Sequence, residues 1–111
     1  MRVKKYDTEF ETIAEGVKRH FIYGDKIMSV VVEFSGGPKS VPDPYHSHPH
    51  EQTCYIAEGE VLFFAKGDET LHLKSGDMVY IEPNQPHTIQ LLTENARLID
   101  NFTPVREDFL K

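Results

Sequence analysis

Apolar positions along the chain fall in short runs of β-branched and aromatic residues, and no segment keeps a helical period. Gly, Pro, Asn and Asp separate these runs. Short strands divided by turn residues are typical of an all-β sandwich or barrel. The pattern predicts strands over Val17–Tyr23, Ile27–Phe34, Thr53–Glu58, Val61–Ala65, Thr70–Leu73, Met78–Ile81, Thr88–Leu92 and Ala96–Phe102.

The segments between the strands predict how the chain is organised. Ser35–Tyr45 is polar and rich in Gly and Pro, which indicates a surface loop and not a domain boundary. Lys66–Glu69 joins two runs closely enough for a hairpin. The tail Arg106–Lys111 fits either a short helical turn or a docked arm. Residues 1–111 are therefore predicted to form a single-domain all-β barrel, long enough to bury a working core.

Composition and charge limit the kinds of molecule that the protein is expected to bind. The chain is 39% hydrophobic and 27% charged, and its formal net charge is −6. This charge argues against a nucleic-acid backbone or an anionic membrane as the main partner, although a few local cations suffice to bind a small anion. No apolar run is long enough to span a bilayer. Because Cys54 is the sole cysteine, no intramolecular disulfide can form, and a reducing, cytoplasmic location is expected.

A histidine-rich segment gives the clearest indication of chemistry. His46 and His48 are two residues apart, so on an extended strand they point to one face, and Gln52 keeps the same parity. His87 follows a Pro-Asn-Gln-Pro turn at the start of another predicted strand and can approach from across the barrel. These four residues are predicted to hold one metal ion. His50 shares the parity but lies too far along the strand to reach the same ion, so we expect it either behind the ligands, in contact with them, or at the rim.

The ligand types indicate which metal and which kind of site. Three imidazoles and an amide oxygen suit a divalent transition metal such as Ni, Zn, Fe or Mn. Fewer than six ligands leave positions open for water or a substrate, as a catalytic centre requires. The alternative is a histidine-rich surface loop without function, but a third histidine after a separate turn favours the metal site.

Two segments resemble the motifs of the cupin superfamily. The first comprises His46–Gln52 followed by Tyr55–Glu60, and the second is Gly76–His87. The resemblance implies a jelly-roll barrel with the metal near its mouth, the same four ligands, and a homodimer. Gln52 stands where the family usually has Glu, which makes the site one charge more positive. Asn84 replaces the usual glycine of the second motif, and Asn also tolerates a positive φ angle.

The C-terminal run Asp100–Phe109 resembles the end of small cupins that ketonise unsaturated uronates from pectin or alginate breakdown, the KdgF-like group. In that group an Asp, a Phe and an Arg of this run line the active site, and by position these are Asp100, Phe102 and Arg106. The resemblance implies a small sugar-acid substrate, most concretely a 4,5-unsaturated uronate monosaccharide whose ring is opened. The loop from Gly36 to Tyr45 is longer than the corresponding turn, which bears on the substrate's identity.

The residues themselves leave the role of Asp100 open. Asp100 has the same strand parity as Leu98 and Phe102, so its carboxylate is expected on an apolar inward face. A buried charge is costly there unless it is paired with an opposite charge or has a functional role. One alternative is that it forms a structural ion pair with Arg106 or a nearby Lys, or lies exposed near the strand end. The other is that it serves as a general acid or base while Arg106 binds the substrate carboxylate. Phe63 and other strand residues are expected in the core or a dimer contact, not in the wall of a cofactor site.

Three functions are consistent with these features. The first is a metal-dependent isomerase that ketonises an unsaturated uronate. The second is an Fe(II) dioxygenase, because open histidine-rich sites also activate oxygen, and oxygen uptake would separate these two. The third is a non-catalytic sugar-binding barrel, which fits if Asp100 and Arg106 are paired with each other and remote from the metal.

Overall fold

A computed structural model describes residues 1–111 as two antiparallel sheets that pack face to face. The elements are β1 (Glu11–Ala14), β2 (Val17–Tyr23), β3 (Met28–Phe34), β4 (Glu51–Glu58), β5 (Glu60–Ala65), β6 (Leu71–Lys74), β7 (Met78–Ile81), β8 (His87–Leu91), β9 (Ala96–Thr103) and a 3-10 helix (Glu107–Leu110). The six-stranded sheet has the order β1-β2-β3-β9-β4-β7, and the three-stranded sheet has the order β6-β5-β8. The all-β jelly-roll prediction is confirmed.

Each predicted strand has a counterpart in the structure, and the differences concern the ends of the strands and β1. Strand β4 begins at Glu51 and β8 at His87, because antiparallel pairing extends each ladder to these residues. As a result, Gln52 and His87 stand on regular strand backbone. The sequence did not predict β1, and all four of its residues are exposed, so it has no buried face to produce a pattern.

The core lies between the two sheets. Strand β4 contributes Cys54 and Ile56 from its inward face, and β5 contributes Val61 and Phe63 opposite them. The chain passes from β4 to β5 through Gly59, whose φ is +85°, and a Cβ there would collide with the carbonyl of Asn95. Only glycine satisfies both conditions without strain. This tight turn sets β4 and β5 on opposite walls of the barrel.

The loop Ser35–Tyr45 has no regular secondary structure, as predicted, but it lies along the free side of β8. The backbone amide of Lys39 donates to the Leu91 carbonyl at 2.8 Å, and that of Asp43 donates to the Ile89 carbonyl at 3.2 Å. The Thr88 hydroxyl donates back to the Asp43 carbonyl at 2.9 Å. These bonds hold the loop against β8, so the chain arrives at the first residue of that strand as it enters the histidine motif.

The C-terminal tail combines the two predicted alternatives. It forms the 3-10 helix and is docked, because Phe109 packs on Phe102 at 5.9 Å and on Phe21 at 6.0 Å between ring centroids. The helix thereby covers the end of β9. No helical segment has the length and apolar character needed to cross a membrane.

Candidate metal centre

His46 and His87 are brought together by an isolated β-bridge between the end of the loop and the start of β8. The His46 amide donates to the His87 carbonyl at 3.0 Å, and the His87 amide donates to the His46 carbonyl at 2.9 Å. Their ring centroids are 4.3 Å apart. Two histidines that are distant in sequence thus meet because the loop pairs with the strand.

His48 and Gln52 complete the cluster from the six-stranded sheet side. His48 is buried, and its ring centroid lies 5.1 Å from that of His87. Its carbonyl accepts a hydrogen bond from the Asn84 amide at 2.7 Å, and Asn84 has a φ of 64°, the positive value expected for this position. Gln52 is also buried, and its Oε1 lies 2.9 Å from His48 Nε2. One ligand atom from each of the three histidines lies within 4.8 Å of the others, so the cluster can bind a metal ion.

Backbone carbonyls set the orientation of two of the imidazoles. His87 Nδ1 lies 2.7 Å from the Gln85 carbonyl, and His48 Nδ1 lies 3.1 Å from the His50 carbonyl. Because a carbonyl only accepts, each Nδ1 must carry the proton, which leaves each Nε2 with a free lone pair. His87 Nε2 is buried without any hydrogen-bond partner. Carbonyl-oriented rings with unpartnered lone pairs are the arrangement that a metal site requires.

The cluster keeps its histidines neutral. The pKa of His46 is lowered to about 4, mainly by burial of the ring and to a smaller extent by the charges of His87, His48 and Arg106. The pKa values of His48 and His87 are also lowered, and burial is the main cause in both. At neutral pH all three imidazoles are therefore neutral, with one ring nitrogen free of a proton, which is the form that binds a metal.

A cavity of about 250 Å³ lies between the sheets next to the cluster. Its polar residues include His46, Gln52, His87 and Asp100, and apolar side chains form most of the remaining wall. Phe63 lies in that wall and stacks on His87, with the ring planes at 27°. Phe63 is a core residue as predicted, but the expectation that it takes no part in the wall of the site was wrong, because the core and the cavity share one space.

Asp100 faces this cavity from β9, on the same side of the strand as Leu98 and Phe102. Its Oδ1 is shielded from solvent and has no hydrogen-bond partner. Burial raises the pKa of Asp100, while Cys54, Gln52 and the charge of Arg106 act against the rise. Burial also raises the pKa of the neighbouring Cys54 thiol, far above its usual value, so the thiol stays protonated. A carboxyl group whose pKa is raised is suited to accept and return a proton near neutral pH.

Arg106 does not pair with Asp100, so the structural ion pair that was one of the alternatives for Asp100 is not formed. The guanidinium instead bonds Asp108 and stacks over Phe102, with its central carbon 5.0 Å from the ring centroid. The Phe102 ring is in turn 5.5 Å from the His48 ring. Arg106 therefore lies beside the cluster, where its charge lowers the pKa of all three histidines.

The chain matches a family model along most of its length. Residues 30–102 match the model described as "Cupin domain". The chain belongs to the cupin family. This cupin is also 36% identical over 106 residues to the pectin degradation protein KdgF of Dickeya dadantii, an alignment that covers 94% of this chain and 93% of the relative.

Solved structures agree with the family assignment. KdgF from Halomonas sp. superposes with a TM-score of 0.83 at 25% identity, covering 93% of this cupin and 94% of that chain. An RmlC-like cupin from Shewanella frigidimarina superposes with a TM-score of 0.84 at 32% identity, covering 96% and 93% of the two chains. The resemblance found in the sequence is therefore confirmed over nearly the whole chain.

Sequence reasoning missed three contributors to the site. The carbonyls of Gln85 and His50, which orient imidazoles, carry no signal in residue type, because every residue has a carbonyl. Asp108 was part of the C-terminal run but was not singled out, although its spacing of two from Arg106 could have suggested a local ion pair. His50 is half-buried at the edge of the cluster, with its ring 5.6 Å from that of His48, which agrees with a position at the rim.

Proposed function

We propose that this cupin opens the ring of 4,5-unsaturated uronate monosaccharides by a metal-dependent isomerisation without redox change. One observation carries the proposal: the shielded carboxylate of Asp100 shares a cavity with the imidazole cluster. When a base and a metal site face the same small cavity, they can together catalyse proton transfer on a small molecule bound there. The similarity to a protein described as acting in pectin degradation supplies the substrate class.

His46, His48 and His87 would hold the metal through one ring nitrogen each, and Gln52 through its side-chain oxygen. The donor set suits Ni, Zn, Fe or Mn. A divalent ion bound there supplies a Lewis acid that polarises an oxygen of the substrate. The protein's share is to keep the imidazoles neutral and oriented, and to enclose the reacting groups within apolar walls.

Arg106 binds the substrate carboxylate in this proposal. A guanidinium matches the geometry of a carboxylate with two parallel hydrogen bonds. Its position beside Phe102 and the imidazole cluster supports this role, and it explains how a chain with a net charge of −6 attracts an anion. The Phe102 ring contacts the guanidinium on one side and the His48 ring, 5.5 Å away, on another.

Asp100 moves one proton from oxygen to carbon. It accepts the proton of the anomeric hydroxyl, the bond between C1 and the ring oxygen breaks, and C1 becomes an aldehyde carbonyl. The ring oxygen becomes the C5 carbonyl as the C4–C5 double bond takes the proton at C4 from Asp100. Atoms and electrons balance without oxidant, reductant or water. The raised pKa of Asp100 makes its carboxylate a stronger base for taking the hydroxyl proton.

Loss of the ultraviolet absorbance of an unsaturated galacturonate monomer tests the function. Metal-loaded protein is compared with buffer, with Arg106→Ala, and with Arg2→Ala, a change at an arginine that stacks on Tyr23 outside the site. The proposal expects a rate well above buffer for the parent and for Arg2→Ala, and a rate near buffer for Arg106→Ala. A parent rate equal to buffer with each metal overturns it. Oxygen uptake with ferrous iron would then indicate the dioxygenase, and sugar binding without turnover would indicate a binding barrel.

We also propose a homodimer. The outermost strands β1 and β7 of the six-stranded sheet each have one edge without a strand partner, which supports pairing between copies. Light scattering on the eluting protein would give a monomer mass if the proposal is wrong.

A further inference from the structure

The guanidinium of Arg106 is held along one side by a single carboxylate. Its Nε donates to Asp108 Oδ1 at 3.0 Å, and its Nη2 donates to Asp108 Oδ2 at 2.8 Å. The Arg106 side chain is only 15% exposed. Hydrogen bonding to Arg106 is the main cause that lowers the pKa of Asp108, so this carboxylate is ionised at neutral pH. The two residues form a charge-assisted, bidentate pair.

This pair leaves the other fork of the guanidinium available. An arginine has five N–H groups, of which Asp108 accepts two, one from Nε and one from Nη2. Of the remaining three, one on Nη1 and one on Nη2 form the fork at the end of the guanidinium, and no protein group accepts a hydrogen bond from Nη1. A second carboxylate can therefore bind end-on while Asp108 stays in place.

Two aromatic rings fix the plane of the same guanidinium. The central carbon of Arg106 lies 5.0 Å from the ring centroid of Phe102 and 4.4 Å from that of Phe109. The two phenylalanine rings pack against each other at 79°. With two aromatic rings against it and its side bonded to Asp108, the guanidinium has little freedom to turn, so the direction of its free fork is set before any ligand arrives.

We propose that Asp108 is a positioning residue that presents the end fork of Arg106 to the carboxylate of the substrate. The inference rests on the proposed function, because it assigns the carboxylate of a sugar acid to Arg106. Asp108 does not touch the substrate itself. It acts through Arg106, by holding the side fork and by fixing the guanidinium in the orientation that receives an anion.

Asp108→Asn tests this role, because asparagine keeps the shape but loses one of the two acceptor oxygens and the charge. Glu107→Gln is the matched control, since Glu107 precedes Asp108 in the same 3-10 helix, is exposed and forms no side-chain hydrogen bond. We expect the metal-loaded Asp108→Asn variant to bind saturated galacturonate about tenfold more weakly by calorimetry. The KM for the unsaturated monomer should rise by a similar factor, with kcat nearly unchanged, and Glu107→Gln should match the parent protein.

The double variant Arg106→Ala with Asp108→Asn separates positioning from a purely structural effect. If Asp108 acts through Arg106, adding Asp108→Asn to Arg106→Ala causes no further loss of galacturonate binding. A further loss of about tenfold in that background, or a single Asp108→Asn variant that binds like the parent, overturns the inference while leaving the proposed function intact. If the metal-loaded parent neither binds galacturonate nor converts the unsaturated monomer, the proposed function fails and the inference fails with it.

Discussion

The side-chain oxygen of Gln52 lies 2.9 Å from His48 Nε2, and both atoms offer lone pairs to the same space. The His50 carbonyl accepts from His48 Nδ1 and so leaves Nε2 without a proton. Two acceptors at this separation repel each other, and a cation bound by both removes the repulsion. The Nε2 of His87 is buried without a hydrogen-bond partner, so its lone pair would also be satisfied by a bound cation. The polar atoms of the cluster are thus matched by a metal ion better than by one another.

Metal binding is therefore expected to stabilise the folded protein. Adding Zn²⁺ or Ni²⁺ at about a hundred times the dissociation constant should raise Tm by about 10 °C, since a ligand that binds only the folded state adds free energy by mass action. His87→Ala should lose this rise, and a chelator should reverse it in the parent protein. His72→Ala is the control, because His72 pairs with Glu60 at the surface. Equal rises in His87→Ala and the parent would contradict the assignment.

Much of the fold and the identity of the cluster could be predicted because they depend on local patterns. Turn residues between apolar runs mark the strands, and the spacing of His46 and His48 marks one face of an extended segment. The positive φ of Asn84 follows from its place in a turn where glycine is usual. Because these features depend on a few neighbouring residues, they can be predicted directly from the sequence.

The remainder depends on contacts between distant segments. Strand β1 is exposed on both faces and leaves no hydrophobic period. The sequence allowed Arg106 to pair with Asp100, and only the docking of the 3-10 helix shows that its partner is Asp108. The loop before the histidine motif lies along β8 through backbone hydrogen bonds, which no residue type encodes. Such contacts become visible only once both segments are placed.

Asp100→Asn should abolish most of the turnover while leaving metal binding in place. The amide cannot accept and return the proton, and general acid–base catalysis contributes about a hundredfold to ten-thousandfold in rate. We expect kcat for the unsaturated galacturonate monomer to fall by about that range, with an unchanged metal content by elemental analysis. Glu60→Gln, at a carboxylate that pairs with His72 at the surface, is the control and should keep the activity of the parent protein. A fully active Asp100→Asn variant would exclude this carboxylate as the proton carrier.

Arg106→Lys should weaken substrate binding although it conserves the charge. An ammonium group cannot give Asp108 one pair of parallel hydrogen bonds and a second carboxylate another pair, and it lacks the planar surface that contacts Phe102 and Phe109. KM is expected to rise about tenfold or more, with a smaller change in kcat. Steady-state kinetics of the metal-loaded variant measures both constants. An unchanged KM would mean that charge alone, and not the fork, holds the substrate.

His20 should make the protein less stable in mild acid. Its ring is buried and stacks on Phe10 at 3.9 Å, and burial is the main cause that lowers its pKa below the ordinary value of 6.5. The unfolded chain therefore takes up a proton at this site at a higher pH than the folded protein does. The contribution of neutral His20 to stability is present in full above about pH 6.5 and is lost as the pH falls below it. His20→Phe keeps an aromatic ring against Phe10 but cannot titrate. Urea unfolding between about pH 8 and pH 5 should show a steeper loss of unfolding free energy for the parent than for the variant, and parallel curves would contradict the prediction.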